Sequence, residues 1–382
     1  MSKVKNRVGD LPSSYRACDV EHLSTLAAVF AASVVDDTAF GGNGETPHTM
    51  FIASRAGVLL GTRLNEELTG VKALLFDRDK RVFPLSTSVN PGFQGMGIGT
   101  MMAERTREIS VHDGSGMFYT LASPRNGPQL NSYLNKMGFQ ASDFYPAYFT
   151  GFADYGVGVD RLLITKDFIS GGGAQEAMDS EFTVSVDDSD GLSDAFSRGF
   201  VANTLLRGKS NSDNHLGFVK PNPKTRNITK HEDSPSINEN SNVKFASQND
   251  LGRIMELDES AFSPPSSIFF IKALALIGGL FCLKGGESSK GFVGTLFDKE
   301  DGIYMHGPVV HGDDPQKIGE FVETVSTLAK ETGRNKIWTV LPNKQKATIG
   351  HLKNYNFRQE GVVEGLFKDS DGVILSSNLN VF

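Results

Sequence analysis

The run Ser86-Thr87-Ser88-Val89-Asn90-Pro91-Gly92-Phe93-Gln94-Gly95-Met96-Gly97-Ile98-Gly99-Thr100 joins two unlike pieces of sequence. It begins inside a β-like stretch, Val82 to Val89, which Asn90-Pro91 closes because proline has no N–H to give to a ladder. It ends at the start of a helical pattern that continues from Ile98 to about Val111. Between the two lies Gln94-Gly95-Met96-Gly97-Ile98-Gly99. A strand, a glycine-rich turn and a helix N-terminus in that order form an anion cradle. N–H groups without intrahelical partners face the ligand, the helix dipole favours negative charge, and glycines let the backbone come close. A pyrophosphate is the expected occupant.

Composition narrows the possibilities. The chain has 382 residues, 39% of them hydrophobic and 22% charged, which is enough for two domains with their own cores. Net charge is −7 and no basic block stands out, so no nucleic-acid partner is expected. The two cysteines, Cys18 and Cys282, make neither a disulfide framework nor a zinc site, and a reduced, cytoplasmic compartment is expected. Met1 to Arg7 is basic, but no apolar stretch follows it, so no signal peptide is expected. The most apolar run, Ile268 to Leu283, is broken by Lys272 and Gly278-Gly279 and is shorter than the ~20 residues of a bilayer span. It reads as a buried helix followed by a core strand, with no membrane partner. His22, His48 and His112 show no metal-ligand spacing, so no metal is expected.

Along the chain, Ser14 to Cys18 reads as a first strand. A helix capped by Asp19 follows, with Leu23, Leu26, Ala27, Val29, Phe30 and Val34 as its apolar residues. Met50-Phe51-Ile52-Ala53, Gly57 and Val58 to Thr62 read as a hairpin. Leu74-Leu75-Phe76 fits a strand or a loop. Met117 to Ala122 reads as a buried strand, and Gln129 to Lys136 as a short helix closed by Gly138. Phe182 to Val186 reads as a strand, Leu192 to Leu206 as an amphipathic helix, and polar Lys209 to Asn242 as a linker. Beyond it a similar order of elements begins again at Val243, which points to duplication.

Three glycine-rich loops hold pyrophosphates. A Walker loop needs a lysine before its Ser or Thr, and Gly99-Thr100 lacks it. A dinucleotide fingerprint sits on the first strand with G-x-G-x-x-G spacing, whereas three β-like runs precede Gly95, Gly97 and Gly99, which are spaced two apart. The spacing Q/R-x-x-G-x-G/A does fit Gln94 to Gly99, with Val89-Asn90-Pro91 upstream and a helix directly after. Farther on stands Tyr133-Leu134-Asn135-Lys136-Met137-Gly138-Phe139. On these motifs residues 14–150 resemble a GNAT-superfamily acetyltransferase. Ser88–Met102 is similar to its acyl-CoA signature and Tyr133–Phe139 to its Y-x-K-x-G-F element. The resemblance implies an α/β (α+β) fold of two GNAT-like domains, each a mixed, mostly antiparallel central sheet flanked by helices. The expected division is a catalytic domain at 1–168, a connecting segment at 169–242 and a degenerate domain at 243–382.

The same resemblance implies transfer of an acetyl group from acetyl-CoA, as co-substrate, to an amine of a small molecule or amino acid by direct attack. Gln94, Gly95, Met96, Gly97, Ile98, Gly99 and Thr100 would hold the pyrophosphate. The N–H near Val89 would polarise the thioester carbonyl, and Asn126 would meet the pantetheine arm or sulfur. The arm would lie where strand Val82–Val89 parts from strand Met117–Ala122. The acid often found in the first of these strands is missing, and the nearest, Asp77 and Asp79, lie outside it. Ser86 and Ser88 either order a proton-carrying water or are solvent-facing strand serines, and Glu66 and Glu67 read as a solvated pair. Tyr133 is the candidate acid. Counted back from Gly138, however, the family's tyrosine position falls on Leu134, and one residue of offset turns a helical side chain by about 100°.

In the second half, Leu352 to Phe357 resembles the Y-x-K-x-G-F element with Asn356 in place of glycine. His311-Gly312-Asp313-Asp314-Pro315 stands where the phosphate loop would be, and two acids at a helix N-terminus repel phosphate. Met305 to Val310 is similar to tandem GNAT proteins whose second copy keeps a G-P turn. Tyr304, His306 and His311 beside that turn either line an acceptor pocket or are satisfied core residues. Two other readings remain: a non-catalytic acyl-CoA-binding regulatory protein and a structural interaction protein.

Overall fold

The computed structural model describes residues 20–42, 44–64, 66–112, 116–145, 161–168, 180–208, 210, 213–220, 241–284 and 290–379. By contacts the chain groups into two compact units: Met1–Glu108 with Pro235–Phe382, and Ile109–Ser234. Contact thus places the first hundred residues with the second half, whereas the expected division at 168 and 242 follows the order of elements.

The first described strand is β1 (Val20–His22), and the expected strand at 14–18 lies outside the described residues. Helix α1 (Leu26–Ala39) is capped by Thr25, whose hydroxyl accepts the Ala28 N–H at 3.2 Å; Asp19, the expected cap, also lies outside the described residues. The buried face differs from the expected one. Leu26 and Val34 are exposed, while Ala28, Val29, Ala32, Ser33, Val35 and Asp36 are buried. Met50–Ala53 is not a strand but the middle of helix α2 (Pro47–Ala56). Proline at the first helical position suits a helix start. Burial of His48 through Ala53 leaves no apolar periodicity to reveal the helix. Strands β2 (Val58–Leu64), β3 (Glu67–Phe76) and β4 (Val82–Val89) follow, all antiparallel, with β1 pairing to β2. Leu74–Phe76 therefore belongs to a strand. Helix α3 (Ile98–His112) starts directly after the glycine-rich loop.

In the second unit, β5 (Met117–Ala122) leads to α4 (Gly127–Leu130) and a π-turn at Asn131–Lys136. Strand β6 (Gln140–Tyr145) pairs antiparallel with β7 (Arg161–Asp167), which also pairs with β5. After β8 (Phe182–Ser185) comes α5 (Ser189–Ser197), then β9 (Val201–Leu206) and β10 (His215–Val219). The helix expected over Leu192–Leu206 therefore stops at Arg198. Gly199, at φ +80°, turns the chain there, and the β-branched start Val201 suits the strand that follows. β9 pairs with β10, so part of the expected linker is a strand.

The rest of the first unit comprises β11 (Val243–Phe245), α6 (Leu251–Ala261), α7 (Ile268–Ala273), β12 (Gly279–Leu283), β13 (Gly291–Phe297), β14 (Gly302–Val310), α8 (Pro315–Glu331), β15 (Lys336–Pro342), α9 (Lys346–Asn354), β16 (Arg358–Phe367) and β17 (Ser370–Asn378). The apolar run Ile268–Leu283 is a buried helix that passes through a π-turn into a core strand, as its pattern predicts. The final hairpin, β16 with β17, was not anticipated from the sequence. β14 and β15 are parallel and the other pairings among these strands are antiparallel, so the sheet is mixed.

The element order from β1 to β7 recurs from β11 to β17: strand, two helices, three strands, helix, strand, helix, two strands. Local chemistry recurs with it. Asp77 Oδ1 accepts the N–H groups of Asp79 and Arg81 at 2.9 Å in the turn after β3. Asp298 Oδ1 accepts those of Glu300 and Gly302 at 2.9 and 2.7 Å in the turn after β13. Phe76 pairs with Val82 and Ala73 with Ser86; in the later segment Phe297 pairs with Ile303 and Gly294 with His306. β3 and β13 meet at Phe76 and Phe297. A second tie is Glu360 of β16, which bonds both Arg55 of α2 and Lys336 of β15 at 2.7 Å. The Arg55 guanidinium lies 4.8 Å from the Trp338 ring, which packs on Tyr304 at 4.7 Å.

Gly57 and Gly278 close the two segments in the same way: a Cβ would lie 1.9 Å from the Leu74 carbonyl oxygen at the first and 1.8 Å from that of Thr295 at the second. Gly57→Ala and Gly278→Ala are each expected to cost about 1–3 kcal/mol in denaturant unfolding. Gly350→Ala, in α9 with open space around its Cβ, is expected to gain up to about 1 kcal/mol.

Candidate functional site

The loop between β4 and α3 is built by its sequence. Asn90 Oδ1 accepts the Gly92 N–H at 3.2 Å, and the Gln94 amide nitrogen donates to the Val89 carbonyl at 3.2 Å, folding the exposed Gln94 back toward the strand end. Gly95 and Gly97 adopt φ of +81° and +83°, which glycine reaches without strain. Among the described residues, no acceptor in the chain meets the N–H groups of Gly95, Met96, Gly97, Ile98 and Gly99. A Cβ on Gly95, Gly97 or Gly99 would meet nothing within 4 Å. Exposed donors around open space at a helix start fit a pyrophosphate. Ile98 is buried, and its Cγ2 would lie 2.8 Å from a Cβ on Gly70, so the absence of a side chain there lets the helix start sit on the sheet. Thr100 is exposed, and Val89 is half-buried at the strand end.

Ser86 and Ser88 do not face solvent. They are 7% and 2% exposed, their oxygens lie 3.2 Å apart, and both donate to Oδ1 of Asp36 on α1. Asp36 is fully buried, and its Oδ2 accepts the Glu45 N–H at 2.6 Å. Burial raises the Asp36 pKa above the ordinary carboxylate range, against the pull of those three donors, and the charge of Asp37 raises it further. The sequence reading missed Asp36, which lies 50 residues before Ser86 in the chain. A carboxylate on the buried face of an otherwise apolar helix was the available signal. Of the acids it did weigh, Asp77 is buried and paired to Arg81 at 2.6 Å, and Glu66 and Glu67 are exposed.

Glu45 extends the polar chain toward the later segment. The Ser267 hydroxyl lies 2.7 Å from both of its carboxyl oxygens. Burial pushes Glu45 up to about 8, the Ser267 bond opposes this, and the Asp36 charge adds to it. Beside it, His306 is fully buried, with Nε2 2.8 Å from Asp258 Oδ1 and Nδ1 3.0 Å from the Tyr304 hydroxyl. Ser266 donates to Asp258 Oδ1 at 3.1 Å and lies 3.1 Å from His48 Nε2, while His48 Nδ1 lies 2.9 Å from the Thr46 hydroxyl. Burial holds the His48 pKa down at about 3, helped by His306 and opposed by Asp258. With His48 neutral, the partners assign its proton to Nε2. Ser266 and Asp258 both meet the same nitrogen of His306, so the set is not a nucleophile triad. His306 and Tyr304 are satisfied core residues, and His311 lies apart in the turn after β14.

Two expected residues belong to the second unit. Asn126 caps α4: its Oδ1 accepts the Gln129 N–H at 3.2 Å and its amide donates to Gln129 Oε1 at 3.0 Å. Tyr133 packs on Phe118 and Phe139 at 6.5 and 5.2 Å, and burial raises its pKa, with Gln129 opposing. The π-turn resolves the offset expected at this helix. An i to i−5 bond, seen where the Met137 N–H meets the Ser132 carbonyl at 3.0 Å, takes up one extra residue. Tyr133, five residues before Gly138, therefore has about the rotation that a residue four before it has in an α-helix. Leu134 is the residue turned into the core.

Among the described residues no group of His, Cys, Asp and Glu is placed to hold a metal ion, and no helix is long and apolar enough to cross a membrane. Because Glu45 is pushed up in the fold, its stabilising contribution is complete below about pH 4.5 and is lost as pH rises through about 8. Glu45→Gln removes that loss. Thermal melts are expected to show the variant gaining on wild type as pH rises from 5 to 9.

No protein-family model matches the chain, and no curated protein matches it. Parts of the chain are similar to solved structures. An IAA acetyltransferase from Bacillus cereus ATCC 14579 is 18% identical over 40% of this chain and 99% of its own, with a TM-score of 0.33. The ribosomal-protein-S18-alanine N-acetyltransferase from Escherichia coli is 16% identical over 39% of this chain and 92% of its own, with a TM-score of 0.33. A GNAT family acetyltransferase from Elizabethkingia anophelis with acetyl-CoA bound is 20% identical over 29% of this chain and 76% of its own, with a TM-score of 0.27.

Proposed function

We propose that this chain is an acyl-CoA-dependent N-acetyltransferase that moves an acetyl group from acetyl-CoA to an amine of a small molecule or amino acid. The observation that carries the reading is the row of unpartnered N–H groups from Gly95 to Gly99 around open space at the start of α3. Bound acetyl-CoA would supply the activated acetyl carbon. The loop N–H groups would hold its pyrophosphate, the backbone N–H near Val89 would draw charge onto the carbonyl oxygen, and the Tyr133 hydroxyl would hold the proton for the departing sulfur. Asn126, occupied as a helix cap, would keep its expected contact with the pantetheine arm through its second amide N–H or the remaining lone pair of Oδ1.

The reading includes a duplicated chain, catalytic at 1–168, joined through 169–242 to a second copy at 243–382 without a CoA loop, and a cytoplasmic location. Support comes from the repeated order of elements and the matching turns at Asp77 and Asp298. In the later segment the turn after β14 carries Asp313 and Asp314. Asp314 caps α8 by accepting the Gln316 N–H at 3.0 Å, and Asp313 accepts the Thr348 hydroxyl at 2.8 Å. Carboxylates occupy the place of an anion.

Calorimetry on two variants tests the site. Gly97→Asn imposes the same backbone strain as Gly97→Asp without the charge. Gly97→Asp is expected to lose acetyl-CoA binding, with Gly97→Asn far closer to wild type; undiminished affinity in Gly97→Asp refutes the site. Release of CoA in the presence of a panel of amines and amino acids tests the reaction. Tight binding with no turnover on any amine would instead favour a regulatory acyl-CoA-binding protein.

A further inference from the structure

Acetyl transfer to an amine needs a proton acceptor, and β4 carries no carboxylate. The structure brings one to that strand from another element, and the chain contains its own control. Asp36 near the end of α1 and Asp258 near the end of α6 are built alike. Each is fully buried, and each holds with Oδ2, at 2.6 Å, an N–H from the segment leading to the next helix: Glu45 for Asp36 and Ser266 for Asp258. Each then reaches the fourth strand of its segment, β4 or β14, at a comparable register position. Counted back three residues along β3 and β13 from the matching pairs Phe76–Val82 and Phe297–Ile303, Ser86 lies opposite Ala73 and His306 opposite Gly294, a bulge adding one residue on β4.

What stands at that position differs. At Asp258 an imidazole fills it, sealed by Phe262 at 4.7 Å and Phe270 at 5.2 Å, with its far nitrogen on Tyr304. At Asp36 the position holds a serine, with a second serine two residues nearer the phosphate loop. A serine hydroxyl donating to a carboxylate keeps lone pairs free to accept another proton, whereas the His306 ring has both nitrogens occupied. The first arrangement can pass a proton inward and the second cannot.

We propose that Asp36 is the proton acceptor of the acetyl transfer, reached through the hydroxyls of Ser86 and Ser88; this rests on the acetyltransferase reading. The substrate ammonium gives a proton to a serine oxygen as that serine passes its own proton to Asp36 Oδ1. The freed nitrogen lone pair forms the C–N bond to the acetyl carbon. The C–S bond breaks with its electron pair leaving on sulfur, which takes up one proton, and the second amine proton is lost as the amide forms. Free CoA thiol, the acetylated amine and one net proton result. The titratable groups that bear on Asp36 are Asp37 on its own helix and Glu45 just before α2, while the His48 ring of α2 turns to Thr46 and Ser266. Lys72 of β3 pairs with Thr87 and so projects from the opposite sheet face to Ser86 and Ser88, and α7, packed on β4, contributes Lys272.

The test measures CoA release with the most active amine of the panel as a function of pH. Acetyl-CoA affinity and melting temperature are measured alongside. Asp36→Asn is expected to lower kcat by about 10²–10⁴-fold with acetyl-CoA affinity unchanged, and to recover activity as rising pH supplies free amine. Ser86→Ala/Ser88→Ala is expected to lower kcat with the same recovery, and it decides the matter if Asp36→Asn does not fold. A folded variant of either kind with wild-type kcat and an unshifted pH profile overturns the proposal while the acetyltransferase reading stands. Wild-type protein that binds acetyl-CoA and releases no CoA with any amine overturns both.

Discussion

A fully buried carboxylate governs the arrangement of the first unit. Asp36 has three donors from two other elements, Ser86, Ser88 and the Glu45 N–H, and each must be in place for its burial to be tolerable. Removing solvent from a charged carboxylate costs several kcal/mol unless its lone pairs are met. The bonds therefore fix where α1 lies over β4 and where the chain enters α2. They also place Glu45 against Ser267, next to the residue that answers Asp258. One polar chain thus runs from the strand preceding the glycine-rich loop into the later segment, through side chains that an apolar core would otherwise exclude.

The two segments use one frame for different ends. The aspartate, the N–H it holds and the glycine under the carbonyl of the next strand are the same in both. The difference lies in the side chain opposite the aspartate and in the charge of the turn beyond it. Serines and an open glycine loop leave the first segment with donors to offer. A histidine and two acids leave the later one closed and internally satisfied. Backbone geometry can match where side chains differ because turns and ladders are specified by few residues.

What could be read in the sequence follows from how each feature is encoded. The loop was legible because positive φ and a ladder stop are written as glycine and proline, with no need of distant partners. Strands β4, β5, β13 and β15 were legible from their apolar runs. Helix α2 was read as a strand because burial on nearly every side erased its period. The end of α5 was passed over because a single glycine, Gly199, outweighed the apolar pattern of the next strand. Asp36 was invisible for a deeper reason. Its surroundings depend on two serines that the fold brings to it from β4, and nothing in Val34-Val35-Asp36-Asp37 announces them. The offset at Tyr133 was visible, but the π-turn that absorbs it was not, since a one-residue insertion leaves no compositional mark.

The chain has a single tryptophan, and its surroundings give it a use beyond packing. Trp338 is buried in β15, with its indole N–H on Asp298 Oδ2 at 2.8 Å, Tyr304 against one side and Arg55 of α2 over its ring. The residue that reaches it from the early segment is thus a cation held over the ring by the Glu360 tie. The emission of this protein therefore comes from one ring that residues of both the early and the late segment touch, and it is readable without any label.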